Sequence, residues 1–269
     1  ARREMRSAGL FTLAALQGAA AFSTGAPMWI RPSRAPGVAT SHISMTELAV
    51  ETSAWDITEI TPDNSLMQRV EGKTRKTWKF NDLDQDRVQV AVASEGRPIN
   101  ADVQLWLGPD WTPFMLKAYS EDGKARPVQT LVGTRNKAAM IEVRNVGEYT
   151  FPFNAAANYA KDAMASATEE IPAASTAERV DGGALRFFPI DPSTQQVEVV
   201  LNTDGRQLNA RVEILNAPNN PKQTYEVFTN NGELNPLCVC FETPDPGNTV
   251  RIVNLAPVEF PCYIHLNEV

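Results

Sequence analysis

The chain alternates. Val88, Val90 and Val92 fall on one side of an extended segment with Gln89 and Ala91 on the other, and Val103, Leu105 and Leu107 repeat the theme against Gln104 and Trp106. Val197, Val199 and Leu201 do the same further on. A period of two predicts strands with one face buried. Between such runs sit Ser-Glu-Gly (94–96), Glu-Asp-Gly (121–123), Thr-Asp-Gly (203–205) and Asn-Asn-Gly (230–232). Their glycines tolerate the positive φ of tight turns. The pattern predicts six or seven short strands in each half, joined mainly by hairpins, and an antiparallel sandwich or barrel-like sheet to bury one face of each.

The two halves repeat each other. VQVAVASEGRPINADVQLW, starting at Val88, aligns without gaps on VEVVLNTDGRQLNARVEIL, starting at Val197, at an offset of 109 residues. The same offset carries Gly96-Arg97 onto Gly205-Arg206, Asn100 onto Asn209, Gly123 onto Gly232, Asn145 onto Asn254, and Phe151-Pro152 onto Phe260-Pro261. Upstream, Val70-Glu-Gly meets Val180-Asp-Gly at 110, so one residue was gained or lost between. The expected fold is mainly all-β: two tandem homologous antiparallel sandwich-like repeats, residues 70–153 and 180–269, related by a pseudo-twofold axis. The linker 154–179 is expected to be short and helical or extended; its Ala, Met, Lys and Glu favour a helix to about Glu170, stopped by Pro172.

Residues 1–42 read as an address. Arg2, Arg3 and Arg6 precede the short apolar run 8–21, which ends in Ala-Ala-Ala before Phe22; residues 28–42 follow with Arg, Ser and Thr and no acid. That is signal-peptide and then transit-peptide composition, the apolar run being too short to span a bilayer. It resembles the bipartite plastid presequence of algae with secondary plastids, where a Phe follows the signal cleavage site. An uncleaved amphipathic helix or a twin-arginine signal are the rival readings. Residues 43–69 form an N-terminal extension.

Composition narrows the function. A formal charge of −7 over 269 residues argues against a nucleic-acid partner, and the run Lys73-Thr-Arg-Lys reads as the solvated face of a strand. Cys238, Cys240 and Cys262 are too few for a disulfide framework and lack companions at metal-ligand spacing, so they read as small core residues. Asp82, Asp84 and Asp86 resemble the start of a calcium loop, but Arg87 stands where its glycine should be and Ala93 where its glutamate should be. His42 and His265 have no nucleophile in motif context, and His265 reads as a surface or edge-strand residue. No catalytic, cofactor or metal site is expected.

The aromatics divide the copies. Trp106, Trp111, Phe114 and Tyr119 correspond to Leu215, Asn220, Gln223 and Phe228. Trp111 and Phe114 thus become polar, which marks Trp111, Phe114, Asn220 and Gln223 as candidate assembly contacts, since exposed aromatics mark contact surfaces. They would equally suit a carbohydrate-binding module.

The blocks KTWKFNDLDQDRVQVAVASEGRPINADVQLWLGPDWTPF, MIEVRNVGEYTFPF and LNTDGRQLNARVEILNAPNNPKQTYEVFTNNGELN resemble the duplicated β protein of diatoms associated with the pyrenoid shell, across residues 65–266. The resemblance implies a plastid structural protein at the pyrenoid periphery. Its partner would be itself in a homo-oligomeric lattice, with Rubisco matrix components beside it, supporting CO2 concentration. The alternatives are an accessory subunit on a plastid membrane complex such as a photosystem, or the carbohydrate-binding module.

Overall fold

The computed structural model describes residues 55, 67–147, 151–160, 164, 167–217 and 219–269. The expected presequence and almost all of the N-terminal extension lie outside them. The first copy supplies β1 (Gln68–Val70), β2 (Arg75–Phe80), β3 (Arg87–Ala93), β4 (Ile99–Trp106), β5 (Phe114–Ser120), β6 (Val128–Gly133), β7 (Ala139–Asn145) and β8 (Phe153–Tyr159). A helix, α1 (Ala167–Ala174), precedes the second copy. That copy supplies β9 (Glu178–Val180), β10 (Leu185–Pro189), β11 (Gln196–Asn202), β12 (Leu208–Asn216), β13 (Pro221–Thr229), β14 (Leu237–Glu242), β15 (Asn248–Asn254) and β16 (Cys262–Glu268).

All pairing is antiparallel, in two eight-stranded sheets. Sheet A runs β1-β8-β3-β6-β14-β11-β16-β9 and sheet B runs β10-β15-β12-β13-β5-β4-β7-β2. The all-β sandwich is as expected, but the copies are fused side by side: each gives four strands to both sheets, and one core cluster spans both copies. Only β4–β5 and β12–β13 are hairpins within a sheet. Every other connection inside a copy crosses from one sheet to the other, which corrects the expectation of strands joined mainly by hairpins. A turn glycine fixes the reversal of the chain and not the sheet to which it returns.

The pseudo-twofold axis can be read from the register. In sheet A, Thr130 of β6 faces Val239 of β14, and in sheet B, Lys117 of β5 faces Glu226 of β13. Each of these is a residue opposite its own counterpart 109 positions on, so the axis passes through both pairs. Two backbone bonds repeat across it: the Glu121 N–H donates to the Lys222 carbonyl (2.9 Å) and the Asn230 N–H to the Pro113 carbonyl (3.1 Å).

The linker departs from expectation at both ends. Residues 153–159 form strand β8, not helix, because β1 and β3 pair with it on either side; a sheet vacancy outweighs alanine's local helix preference. The helix also runs past Pro172 to Ala174. Its end is capped by Ser175, whose N–H and Oγ–H both donate to the Ile171 carbonyl (3.1 and 2.7 Å). With Trp55, Met164, Ala167 and Ile171, it covers a second small core on the outer face of sheet A, over Leu131, Val200, Cys238 and Cys240.

Candidate assembly surfaces

The identities shared by the copies are mostly structural. The Asn145 Nδ2–H donates to the Val70 carbonyl (3.4 Å) and the Phe151 carbonyl (2.8 Å); Asn254 does the same to Val180 (3.0 Å) and Phe260 (2.9 Å). Each Asn clips a three-residue edge strand of sheet A to the segment entering β8 or β16. Gly123 and Gly232 sit where a Cβ would strike Ser94 Oγ (2.5 Å) and Thr203 Oγ1 (2.6 Å). Arg97 lies over the Phe151 ring at 5.0 Å and Arg206 over Phe260 at 5.4 Å. These pairs hold corners of the fold, the repeated solution to a repeated problem.

The four candidate contacts separate. Trp111 is 38% exposed in the β4–β5 loop, with the cations of Arg135 and Lys137 over its ring at 5.1 and 5.6 Å. A ring so attended is a poor open platform for a sugar. Asn220 is exposed in the matching loop. Phe114 and Gln223 have no exposed surface, which removes both from the surface candidates. They are inward positions on β5 and β13, and the reason for the exchange lies two residues on. Phe114 and Leu116 of copy one become Gln223 and Tyr225 of copy two, so the aromatic ring moves along the strand. The buried Tyr225 hydroxyl then needs partners, and it receives the Gln223 Nε2–H (2.9 Å) and the Gln129 N–H (3.2 Å). Gln223 also donates to the Pro127 carbonyl (2.9 Å). Burial without such bonds would cost several kcal/mol, roughly 2–7.

His265 is buried, contrary to its expected surface position, although the β9 partner ends one residue before it. It lies on β16 opposite Val200 of β11, Nδ1 sits 3.1 Å from Ser175 Oγ beyond the helix end, and burial pushes its pKa down. The three thiols are buried too, and burial raises all of their pKa values, Cys262 to about 11. Asp82 accepts from the Asp84 N–H and Asp86 pairs with Arg87 at 2.6 Å. Among the described residues no group of three or more His, Cys, Asp or Glu is placed to hold a metal, and no helix is long and apolar enough to cross a membrane.

What distinguishes the surface is sheet B. The one helix among the described residues packs on sheet A, and among those residues the outer face of sheet B carries no helix. Its register lines up one row of outward side chains across all eight strands: Arg75, Arg144, Asp102, Lys117, Glu226, Arg211, Val253 and Leu185. The middle alternates in sign and carries a groove of about 290 Å3 lined by Met115, Phe228 and Leu255 beside Lys117 and Glu226. Burial raises the Asp102 pKa, while Lys117 and Arg144 oppose that shift.

The ends of the row are unlike. Strand β2 has exposed Arg75, Lys76, Thr77 and Lys79. At the corresponding edge, β10 presents Leu185, 44% exposed, and Phe187, 54% exposed. Cationic edges are a standard protection against sheet growth, and apolar edges invite it. Sequence pattern did not find β10 as a site, although its LRFFP against the RKTWKF of β2 was the available signal.

The family model described as diatom pyrenoid shell protein matches residues 61–268, most of the chain. A search of curated proteins finds no match.

Proposed function

The chain belongs to the diatom pyrenoid shell protein family, and from that premise we propose that it assembles with copies of itself into the protein sheet that encloses the Rubisco matrix of the pyrenoid. It would act in the plastid stroma, at the pyrenoid periphery, as a structural subunit and not as an enzyme. By confining CO2 around Rubisco, the sheet would support carbon fixation. The observation that carries the reading is the family match over both copies.

The architecture supports it in two ways. Fusing two copies through both sheets gives a single unit with one shared core, a suitable tile. Among the described residues one sheet face also carries no helix and one sheet edge is apolar, where a monomer that stays apart would be protected.

Negative-stain electron microscopy of the purified full chain tests the proposal over a range of protein and salt concentrations. Extended sheets or tubes are expected. Monomers and dimers alone under every condition would refute it.

A further inference from the structure

We propose that β10 is a twofold self-association strand: it pairs antiparallel with β10 of a second copy about Phe187, joining two B sheets into one of sixteen strands. The inference rests on the self-assembly reading only for the identity of the partner, a second copy of this chain.

The backbone is oriented for it. The Ile190 N–H donates to the Asn248 carbonyl (3.1 Å), and the Asn254 N–H to the Ala184 carbonyl (3.0 Å). Inward and outward residues alternate along an antiparallel ladder. Residues 186 and 188 therefore bond toward β15, and Leu185, Phe187 and Pro189 turn their backbone groups to the open side. Leu185 and Phe187 also carry the exposed apolar side chains.

A pairing centred on Phe187 is self-complementary. Phe187 faces Phe187 of the second copy, and the two exchange N–H to carbonyl bonds. Each Leu185 N–H meets the Pro189 carbonyl opposite. Pro189 has no N–H to return, but the Leu185 carbonyl already accepts from Arg186 Nη1 at 3.1 Å, so the missing donor leaves no orphan. Arg186 falls opposite Phe188, cation beside ring, and no like charges meet.

The other edge offers no such match. Pairing β2 with β2 would bring Arg75, Lys76 and Lys79 of both copies together, and pairing β2 with β10 would set those cations against Leu185, Phe187 and Arg186. The chain already contains the model for the favoured contact: β5 and β13 join the two copies by an antiparallel strand pair across a twofold axis.

The test is oxidative cross-linking of full-length Phe187→Cys, with Thr77→Cys, its counterpart on β2, as the control. Directly opposed residues in such a pair lie about 5.5 Å apart at Cα, within disulfide range, and the native thiols are buried. A reducible dimer from Phe187→Cys that is absent from Thr77→Cys is expected. By sedimentation, Phe187→Lys should weaken dimerisation about tenfold or more. Far-ultraviolet circular dichroism verifies that each variant is folded.

A Phe187→Cys variant that stays monomeric on a non-reducing gel, or a Thr77→Cys variant that cross-links as well, overturns the proposal. So does unchanged sedimentation of Phe187→Lys. Sheets seen by microscopy without the Phe187→Cys cross-link would sink the strand contact and leave the shell reading standing. The cross-link without sheets would do the reverse.

Discussion

Replacing Asn145 or Asn254 with Ala isolates what the duplication preserved. Each is 2% exposed or less and donates to two backbone carbonyls through Nδ2, with Oδ1 accepting from the N–H of Gly147 (3.3 Å) or Ala256 (3.0 Å). A buried hydrogen bond contributes about 1 kcal/mol net, and a partner left unsatisfied costs about 1–3. Loss of two or three bonds thus costs about 2–4 kcal/mol per site, with Asn254→Ala the larger because two of its three bonds are shorter than their counterparts. For a fold of this size that is a fall of about 5–12 °C in Tm. The sites lie in different copies, so the double variant should sum the two within about 0.5 kcal/mol. Urea unfolding of the full chain followed by circular dichroism measures all three. Asn100→Ala is the control: it too is shared by the copies, but its side chain is half-buried with no clip to break, and it should cost about 0.5 kcal/mol or less. If both clip variants stay within that margin, the shared asparagines were kept for another reason and the argument fails.

Phe114→Ala should cost about 3–5 kcal/mol by the same assay, and Trp111→Ala about 1 or less; the reverse order would restore Phe114 as a surface residue. Gly123→Ala forces a methyl onto Ser94 and the Ile99 side chain and should destabilise by about 1–3 kcal/mol, as should Gly232→Ala. Native protein should react with no thiol reagent at pH 8, and three thiols should react after unfolding. Because burial raises the thiol pKa values, the unfolded chain ionises first, and stability falls as pH climbs above about 8.5; a flat profile between pH 8 and 10 in Tm would contradict this. Fused ahead of a fluorescent protein, residues 1–42 should carry it into the plastid; a secreted reporter would count against that localisation.

Much of this was legible because the copies check each other. Turn glycines, alternating valines and paired asparagines carry the strand class and the symmetry in the sequence itself. A segment taken alone is ambiguous. Residues 154–159 look helical by composition, yet at offset 109 they lie on residues 263–268, already strand-like as YIHLNE. Phe114 against Gln223 looked like a change of surface, because a polar replacement in a core is visible only with its partner, Tyr225, in view. The fusion through both sheets was hidden for a different reason. Strand order between copies is set by which edges remain to be satisfied, and periodicity carries no record of that.

Those edges are also where the copies diverge with consequence. The internal axis uses one edge of each copy in both sheets, so β2 and β10 are the corresponding ends left on sheet B. If their side chains alone decide which end associates, the property should be portable. In a Phe187→Lys background, Arg75→Leu with Thr77→Phe copies the outward face of β10 onto β2. The same alternation leaves Thr77 turned outward, since the Asn145 N–H donates to the Thr74 carbonyl (2.9 Å) and places residues 75, 77 and 79 on the open side. Dimerisation lost with Phe187→Lys should then return through β2, recovering about tenfold in affinity. In the otherwise native chain the same pair of changes creates two sticky ends on sheet B, and two ends that each pair with their like give an open chain where β10 alone joins only two copies. Sedimentation at low concentration should show species growing beyond the dimer. A transplanted edge that restores nothing would mean that strand geometry, and not edge dressing, selects β10.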